Sequence, residues 1–339
     1  MEKILSIIIP TYNMEKYLRK CLDSLIIDDK ELFGKLEVLV VNDGSRDSSS
    51  AIAHEYQDNY PNVFRVIDKE NGNYGSCVNR GLKEASGKYI KILDADDWYR
   101  KQCLCEYLNL LLETDADLII NDCDVISPSG KKIDGFSYNL PQYQSDEFLI
   151  PTTIQMHCVA YRTCNLKRIN YTQTEGISYT DQEWIFMPMT TVDSACYIKI
   201  PLYVYFVGRD GQTMDPKVYI EKYNQEIIII KRMLTQFYSQ DISFGKAEQY
   251  LYNKMVDRIQ SLFKNVLVNY SVSEPNDLIE FEKYLKLNYP KFYNEDVKNV
   301  YLSRKIPFRF IKYWIMNDYH MPIWHPAIIL YKLKELIKK

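Results

Sequence analysis

The sequence predicts an α/β fold, a mostly parallel wound sheet followed by a helical C-terminal extension. Two observations carry that expectation. Between Leu5 and Asn121, short apolar runs alternate with helical segments, the pattern of strands joined by crossover helices. From about Tyr219 onward, apolar residues recur at helical spacing over longer stretches.

Leu5-Ser6-Ile7-Ile8-Ile9 reads as the first strand, with a helix over 15–27. Leu36 to Val41 reads as the second, with a helix over 47–56. Val63 to Ile67 is the third, followed by a glycine-containing loop and a helix over 76–85. Tyr89 to Leu93 is the fourth strand and ends in a run of carboxylates. Leu118 to Asn121 reads as a further strand of the same sheet. Candidate helices then cover Tyr219 to Phe237, Lys246 to Val268 and Asp277 to Leu287.

The chain has 339 residues, which at roughly 150 per domain suggests two domains with a real core. With 46% hydrophobic and 26% charged residues and no low-complexity stretch, the composition is that of an ordinary globular protein. A net charge of −3 argues against a nucleic-acid binder, which needs a clustered cationic surface. The eight cysteines form no CxxC pair, so buried free thiols in a reducing compartment are expected. The apolar run Ile4 to Ile9 ends at Pro10, too short for a signal peptide, and no stretch approaches 18 apolar residues. The expected location is cytoplasmic.

Ligands of open parallel sheets bind beyond the carboxyl ends of the strands. Here those ends carry Pro10-Thr11-Tyr12-Asn13, Asn42-Asp43-Gly44-Ser45, Asp68-Lys69 and Asp94-Ala95-Asp96-Asp97. That convergence points to a nucleotide site. A dehydrogenase would need GxGxxG after the first strand, and the first strand end has no glycine. The acidic turn offers hard oxygen ligands to Mn²⁺ or Mg²⁺. It can equally cap the next helix. Asp43 is placed to accept from the imide of a uracil, with Gly44 permitting the turn.

With Glu70-Asn71-Gly72 and Asn79-Arg80-Gly81 added, the ordered series resembles the motifs of inverting family 2 glycosyltransferases with the GT-A fold. The resemblance is strong over about residues 1–125 and extends to about 215. It implies a GT-A domain over 1–218, with a nucleotide-binding half at 1–125 and an acceptor and catalytic half at 126–218. A helical region at 219–303 and a basic amphipathic tail at 304–339 would follow. It also implies that Pro10, Thr11, Tyr12 and Asn13 line a UDP-sugar pocket, that Asp43 contacts the base, and that Asn71 flanks it. Asp94 and Ala95 of the DxD motif would join that pocket, with Asp94 and Asp96 holding the metal. Asn79 and Arg80 are assigned to the donor by the same series, although Arg80 on a helix also reads as a surface ion pair.

Tyr179-Thr180-Asp181-Gln182-Glu183-Trp184 is similar to the family's acidic motif before a helix, which implies that Asp181 is the catalytic base. Thr180 stands where the family has Glu. Thr180 and Glu183 have capping-box spacing, which predicts Asp181 in the first helical turn. Gly208-Arg209-Asp210-Gly211-Gln212-Thr213 resembles a loop that closes over the diphosphate, which implies donor contacts from Arg209 and Thr213. His157 and Trp184 are candidate acceptor contacts, with a core histidine the competing reading of His157. The QxxRW signature of processive synthases is missing, so one sugar per acceptor encounter is expected.

The acceptor implied is a surface polysaccharide or lipid-linked glycan. Alternatives are a sugar-phosphate nucleotidyltransferase, which normally opens with a glycine-rich basic loop that is absent here, or a non-catalytic nucleotide-sugar-binding assembly subunit. From Arg304 to Lys339 there are eight Lys or Arg against two acids, interleaved with Phe308, Trp314, Trp324 and many aliphatic residues. Such a tail suits a membrane interface, packing on the protein itself, or a homo-oligomer contact.

Overall fold

A computed structural model describes residues 2–144, 150–151, 153–208, 216–239 and 247–337. Two compact units emerge, one built from 1–212 and 241–250, the other from 213–240 and 251–339.

The first unit is a ten-stranded α/β sheet. Its strands are β1 (Leu5–Thr11), β2 (Leu36–Asn42), β3 (Phe64–Asp68), β4 (Tyr89–Ile92), β5 (Trp98–Tyr99), β6 (Leu118–Ile126), β7 (Lys132–Phe136), β8 (Tyr143–Gln144), β9 (Val159–Arg162) and β10 (Ala195–Phe206). The main path runs β3-β2-β1-β4-β9-β6-β10-β5, with β7 on β6 and β8 on β10. β3, β2, β1 and β4 are parallel, β9 runs antiparallel between β4 and β6, and β10 is parallel to β6. The sequence-predicted strands and the mostly parallel sheet are all present.

β1 is buried at all seven positions, which is why Leu5, Ile7, Ile8 and Ile9 place apolar side chains on both of its faces. The helix Asn73–Glu84 lies on β1 and β2. Gly81 makes that approach feasible, since a Cβ there would come within 2.5 Å of the Ile8 side chain. The helix Ser49–Asn59 packs on β3, and Lys101–Glu113 on β10. Because β1 to β4 share a direction, their carboxyl ends Thr11, Asn42, Asp68 and Ile92 lie along one edge of the sheet.

The second unit is helical. It contains Pro216–Phe237, most of Glu248–Lys264, Asn276–Asn288, Phe310–Met316 and Pro326–Ile337. Phe263 stacks on Phe281 at 6.2 Å between ring centroids and meets Trp314 at 6.0 Å. The basic tail is therefore divided. Phe310, Ile311, Trp314 and Ile328 are core residues of this unit, while much of 316–337 is exposed. Among the described residues, no helix is long and apolar enough to cross a membrane.

Candidate active site

The polar residues at the sheet edge are laced together by hydrogen bonds between loops. Beyond β1, the Asn13 N–H donates to Ser45 Oγ at 3.0 Å and Asn13 Oδ1 accepts from the Arg46 N–H at 2.9 Å. The Met14 and Glu15 N–H groups donate to Ser49 Oγ and Asp47 Oδ2. This lacing holds Asn13 at φ 53°, a left-handed conformation that asparagine tolerates better than most side chains. Thr11 is buried, whereas Tyr12 is 42% exposed and available to stack on a ligand.

Asp43, beyond β2, is 2% exposed. Its Oδ1 accepts from Lys69 Nζ at 2.6 Å and from the Gly72 N–H at 2.9 Å, while Asn71 Nδ2 donates to the Asp43 carbonyl at 2.9 Å. Gly44 turns the chain here at φ +70°, the region that favours glycine. Asp43 and Asn71, which the sequence assigns to the base pocket, are thus brought into one loop cluster. Lys69, which the sequence offers only as part of the Asp68-Lys69 strand end, joins them as the partner of Asp43.

The acidic turn follows β4. Tyr74 donates to Asp94 Oδ1 at 2.8 Å, and Asp94 Oδ2 lies 3.9 Å from His157 Nε2. Asp97 is buried, with Oδ2 accepting from Tyr203 at 2.6 Å and Oδ1 from the Phe206 N–H at 2.7 Å. Burial raises the Asp97 pKa well above the carboxylate range, and the Asp96 and Asp94 charges add to the rise. The Asp94 and Asp96 charges beside buried Asp97 concentrate negative charge on this turn, which a cation would relieve.

His157 stacks on Tyr205 at 4.4 Å and meets Tyr203 at 4.8 Å. Burial, helped by Lys91, lowers its pKa to about 3, so the ring is neutral and its nitrogens are ligand-competent. Ligand atoms of Asp94, Asp97 and His157 lie within 4.8 Å of one another. His157 Nδ1 is buried with no hydrogen-bond partner among the described residues. This donor set of carboxylate oxygens and one imidazole suits Mn²⁺ or Mg²⁺. Asp96, the carboxylate the sequence assigns to the metal, is 9% exposed and stands outside that trio. Ala95 between them is buried.

Asp181 opens the short helix Asp181–Trp184, as expected, but no capping box forms. Thr180 is helical at φ −73° and ψ −10°, and its buried hydroxyl has no partner among the described residues. Glu183 accepts instead from the Thr174 N–H and hydroxyl at 2.6 and 2.9 Å. The Asp181 carboxylate accepts from Gln182 Nε2 at 2.7 Å, and its charge raises the pKa values of Tyr74 and Tyr205. For both tyrosines burial is the larger cause. Asp181 is thereby within electrostatic reach of the ring that holds Asp94.

Three expectations are corrected or relocated. Trp184 cannot be an acceptor contact, because it is fully buried against Tyr161 and Tyr171. Asn79 spends its amide on the Gln173 carbonyl at 2.9 Å and Glu175 Oε1 at 2.8 Å, tying its helix to the segment before Asp181. Arg80 pairs with Glu84 at 3.0 Å, four residues on. Arg209 and Thr213 lie outside the described residues.

Residues 6–169, which span this sheet edge and all the acids of the turn, match the family model described as Glycosyl transferase family 2. Residues 6–169 are thus a glycosyltransferase family 2 domain. The chain is 30% identical over 210 residues to putative glycosyltransferase EpsH of Bacillus subtilis, covering 59% of this chain and 60% of EpsH. It is 28% identical over 215 residues to the minor teichoic acid biosynthesis protein GgaB of the same species, covering 61% of this chain and 23% of GgaB. The chain thus spans less than two thirds of these curated relatives. In fold, S. aureus TarS 1–349 in complex with UDP-GlcNAc is similar at a TM-score of 0.68 and 19% identity, over 98% of this chain and 92% of that one. The family 2 domain is of GT-A type, and the likeness in fold continues past residue 169 into the helical unit.

Proposed function

We propose that the protein transfers a single sugar from a UDP-sugar to a hydroxyl of a surface polysaccharide or lipid-linked glycan, with inversion at the anomeric carbon and with a divalent cation bound. The observation that carries this reading is the gathering of Asp43, the Asp94–Asp97 turn and Asp181 at the carboxyl edge of one family 2 sheet. TarS, bound to UDP-GlcNAc in its structure, favours a uridine donor. GgaB, a teichoic acid biosynthesis protein, favours a cell-surface acceptor.

Asp94, Asp97 and His157 would hold the cation, with Asp96 on the same turn, and the cation would supply positive charge to a departing diphosphate. Tyr74 orients Asp94 through its hydroxyl, and Tyr203 and the Phe206 N–H fix Asp97 so that the turn keeps its shape. Thr11, Tyr12, Asn13, Asp43 and Asn71 receive the nucleoside. Asp181 removes the proton of the acceptor hydroxyl, whose oxygen attacks the anomeric carbon from the face opposite UDP. The C–O bond to UDP breaks in the same displacement, and no sugar–enzyme bond is formed.

Calorimetric titration with UDP, GDP, dTDP and CDP, each with Mn²⁺ and with EDTA, tests the site. Preference for UDP that is lost in EDTA and in Asp94→Ala is the expected result. No nucleotide binding by the folded protein overturns the reading. Product analysis on UDP-sugars separates the alternatives: UDP release marks a glycosyltransferase, pyrophosphate release a nucleotidyltransferase, and tight binding without turnover an assembly subunit.

A further inference from the structure

The last helix of the second unit, Pro326–Ile337, faces the wrong way for a helix that only completes a core. Its buried side is small, consisting of Ile328 and Tyr331. Its outward side carries Ile329, Leu330, Leu333, Leu336 and Ile337, between 45% and 85% exposed. The loop before it adds Ile323 at 59% and Trp324 at 71%, and the end of the preceding helix adds Met316 at 75%. Large aliphatic residues at i, i+1, i+4, i+7 and i+8 form one continuous stripe. Monomeric proteins seldom leave such a stripe uncovered without a partner for it.

The charges indicate what that partner is. At about 100° per residue, Lys332 and Lys334 fall on opposite flanks of the stripe, and Glu335, the helix's one acid, falls on the side away from it. Lys332 Nζ reaches Ser271 Oγ at 3.2 Å, a single neutral partner that leaves its charge unneutralised by that contact. Two further lysines follow at 338 and 339. An apolar stripe bordered by ammonium groups, with an exposed tryptophan at its leading end, is the arrangement of a helix lying in a lipid headgroup layer. A second copy of this chain would bring lysines against lysines along the same flanks.

We propose that Pro326–Ile337, with Ile323 and Trp324, is a docking surface for an anionic lipid bilayer, lying in the plane of the headgroups without crossing it. The surface does not depend on the transferase reading, since vesicle binding requires no turnover. Co-sedimentation of the full chain with phosphatidylglycerol-containing and with pure phosphatidylcholine vesicles tests it. Binding to the anionic vesicles is expected, weakened about fivefold by Lys334→Gln and by added salt. The double variant Leu330→Glu/Leu333→Glu should lose binding by well over about tenfold while keeping the wild-type circular dichroism spectrum and thermal midpoint, because both side chains are already exposed. Trp324 is the exposed tryptophan of this surface, so its emission should shift to the blue on vesicle addition, and Trp324→Phe should remove that shift. No binding by wild-type protein, equal binding to both vesicle types, or self-association that the double variant abolishes would each overturn the proposal.

Discussion

Both units bury tyrosine hydroxyls against carboxylates, yet only one of them makes a candidate active site from the device. In the sheet, Tyr74 bonds Asp94 and Tyr203 bonds Asp97. In the helical unit, Tyr219 bonds Glu226 at 2.6 Å, and both Tyr293 and Tyr319 bond Glu282. The pairs differ in company. Glu226 is 1% exposed and answered by Arg258 at 2.9 Å, and Glu282 sits 2% exposed between its two hydroxyls. Asp94, Asp96 and Asp97 share one turn, and the Asp94 and Asp97 carboxylates lie near the neutral His157 ring. A tyrosine–carboxylate bond by itself is therefore structural. Several carboxylates crowded on one turn at a strand edge are what distinguishes the site.

The largest expected effect that would sharpen this contrast belongs to Asp181. Asp181→Asn should lower the transfer rate by about 10²–10⁴ with UDP affinity unchanged, measured by single-turnover UDP release alongside calorimetry. Near-normal turnover would show that another group accepts the proton and that Asp181 only completes the electrostatics around Tyr74.

Trp314→Ala tests the other unit. Removing a fully buried indole that packs on Phe263 should cost about 3–5 kcal/mol, read by urea unfolding. If the helical unit is a support whose chemistry lies elsewhere, nucleotide affinity in the absence of urea stays at the wild-type value. A parallel loss of UDP binding before unfolding would break the distinction between the two regions.

The unequal legibility of the sequence has the same origin. β1 to β4 could be read because each is a short, mainly apolar run, and because their ends carry polar residues that no core requires. Asp43 and Asp94 stand at those strand ends, whereas the assignments of Asn71 and Asp181 rest on the family resemblance. The pairings made by Lys69 and Tyr74 were legible in neither, since each becomes a neighbour of its carboxylate only when the chain returns across the sheet, as from Lys69 to Asp43 over 26 residues. The Thr180–Glu183 spacing suggested a cap, but the Thr174 N–H and hydroxyl supplied a tertiary partner that took Glu183. Trp184 was a candidate acceptor contact because the sequence does not tell a buried ring from an exposed one. In the second unit helical period was plain. Which half of the tail packs inward depends on where Phe263 and Phe281 leave room, and no local pattern encodes that.

Paired hydroxyl deletions put the comparison on one scale. Tyr203→Phe and Tyr293→Phe each remove a hydrogen bond to a buried carboxylate, worth about 1.5–3 kcal/mol. Both should lower the unfolding free energy by similar amounts. Only Tyr203→Phe should also weaken Mn²⁺-dependent UDP binding, because Asp97 then loses one of the two groups that fix the acidic turn. Equal binding defects in the two variants would mean that the helical unit shapes the nucleotide pocket as well.

The smallest expected effect separates resemblance from geometry at a single residue. The motif series places Arg80 at the donor, whereas the structure sets it on a helix surface with its Nε 3.0 Å from Glu84, which also receives Arg65. Side chains this exposed, 43% for Arg80, are well screened by water. Arg80→Ala should therefore change stability by less than about 1 kcal/mol and leave UDP affinity where it was. Arg65 remains to answer Glu84, so the loss is further muted. A clear fall in UDP affinity at unchanged stability would instead require Arg80 to leave Glu84 when the nucleotide arrives. The ion pair would then be a resting arrangement of a donor ligand, and Glu84→Gln, which frees the guanidinium, should tighten UDP binding in the same assay.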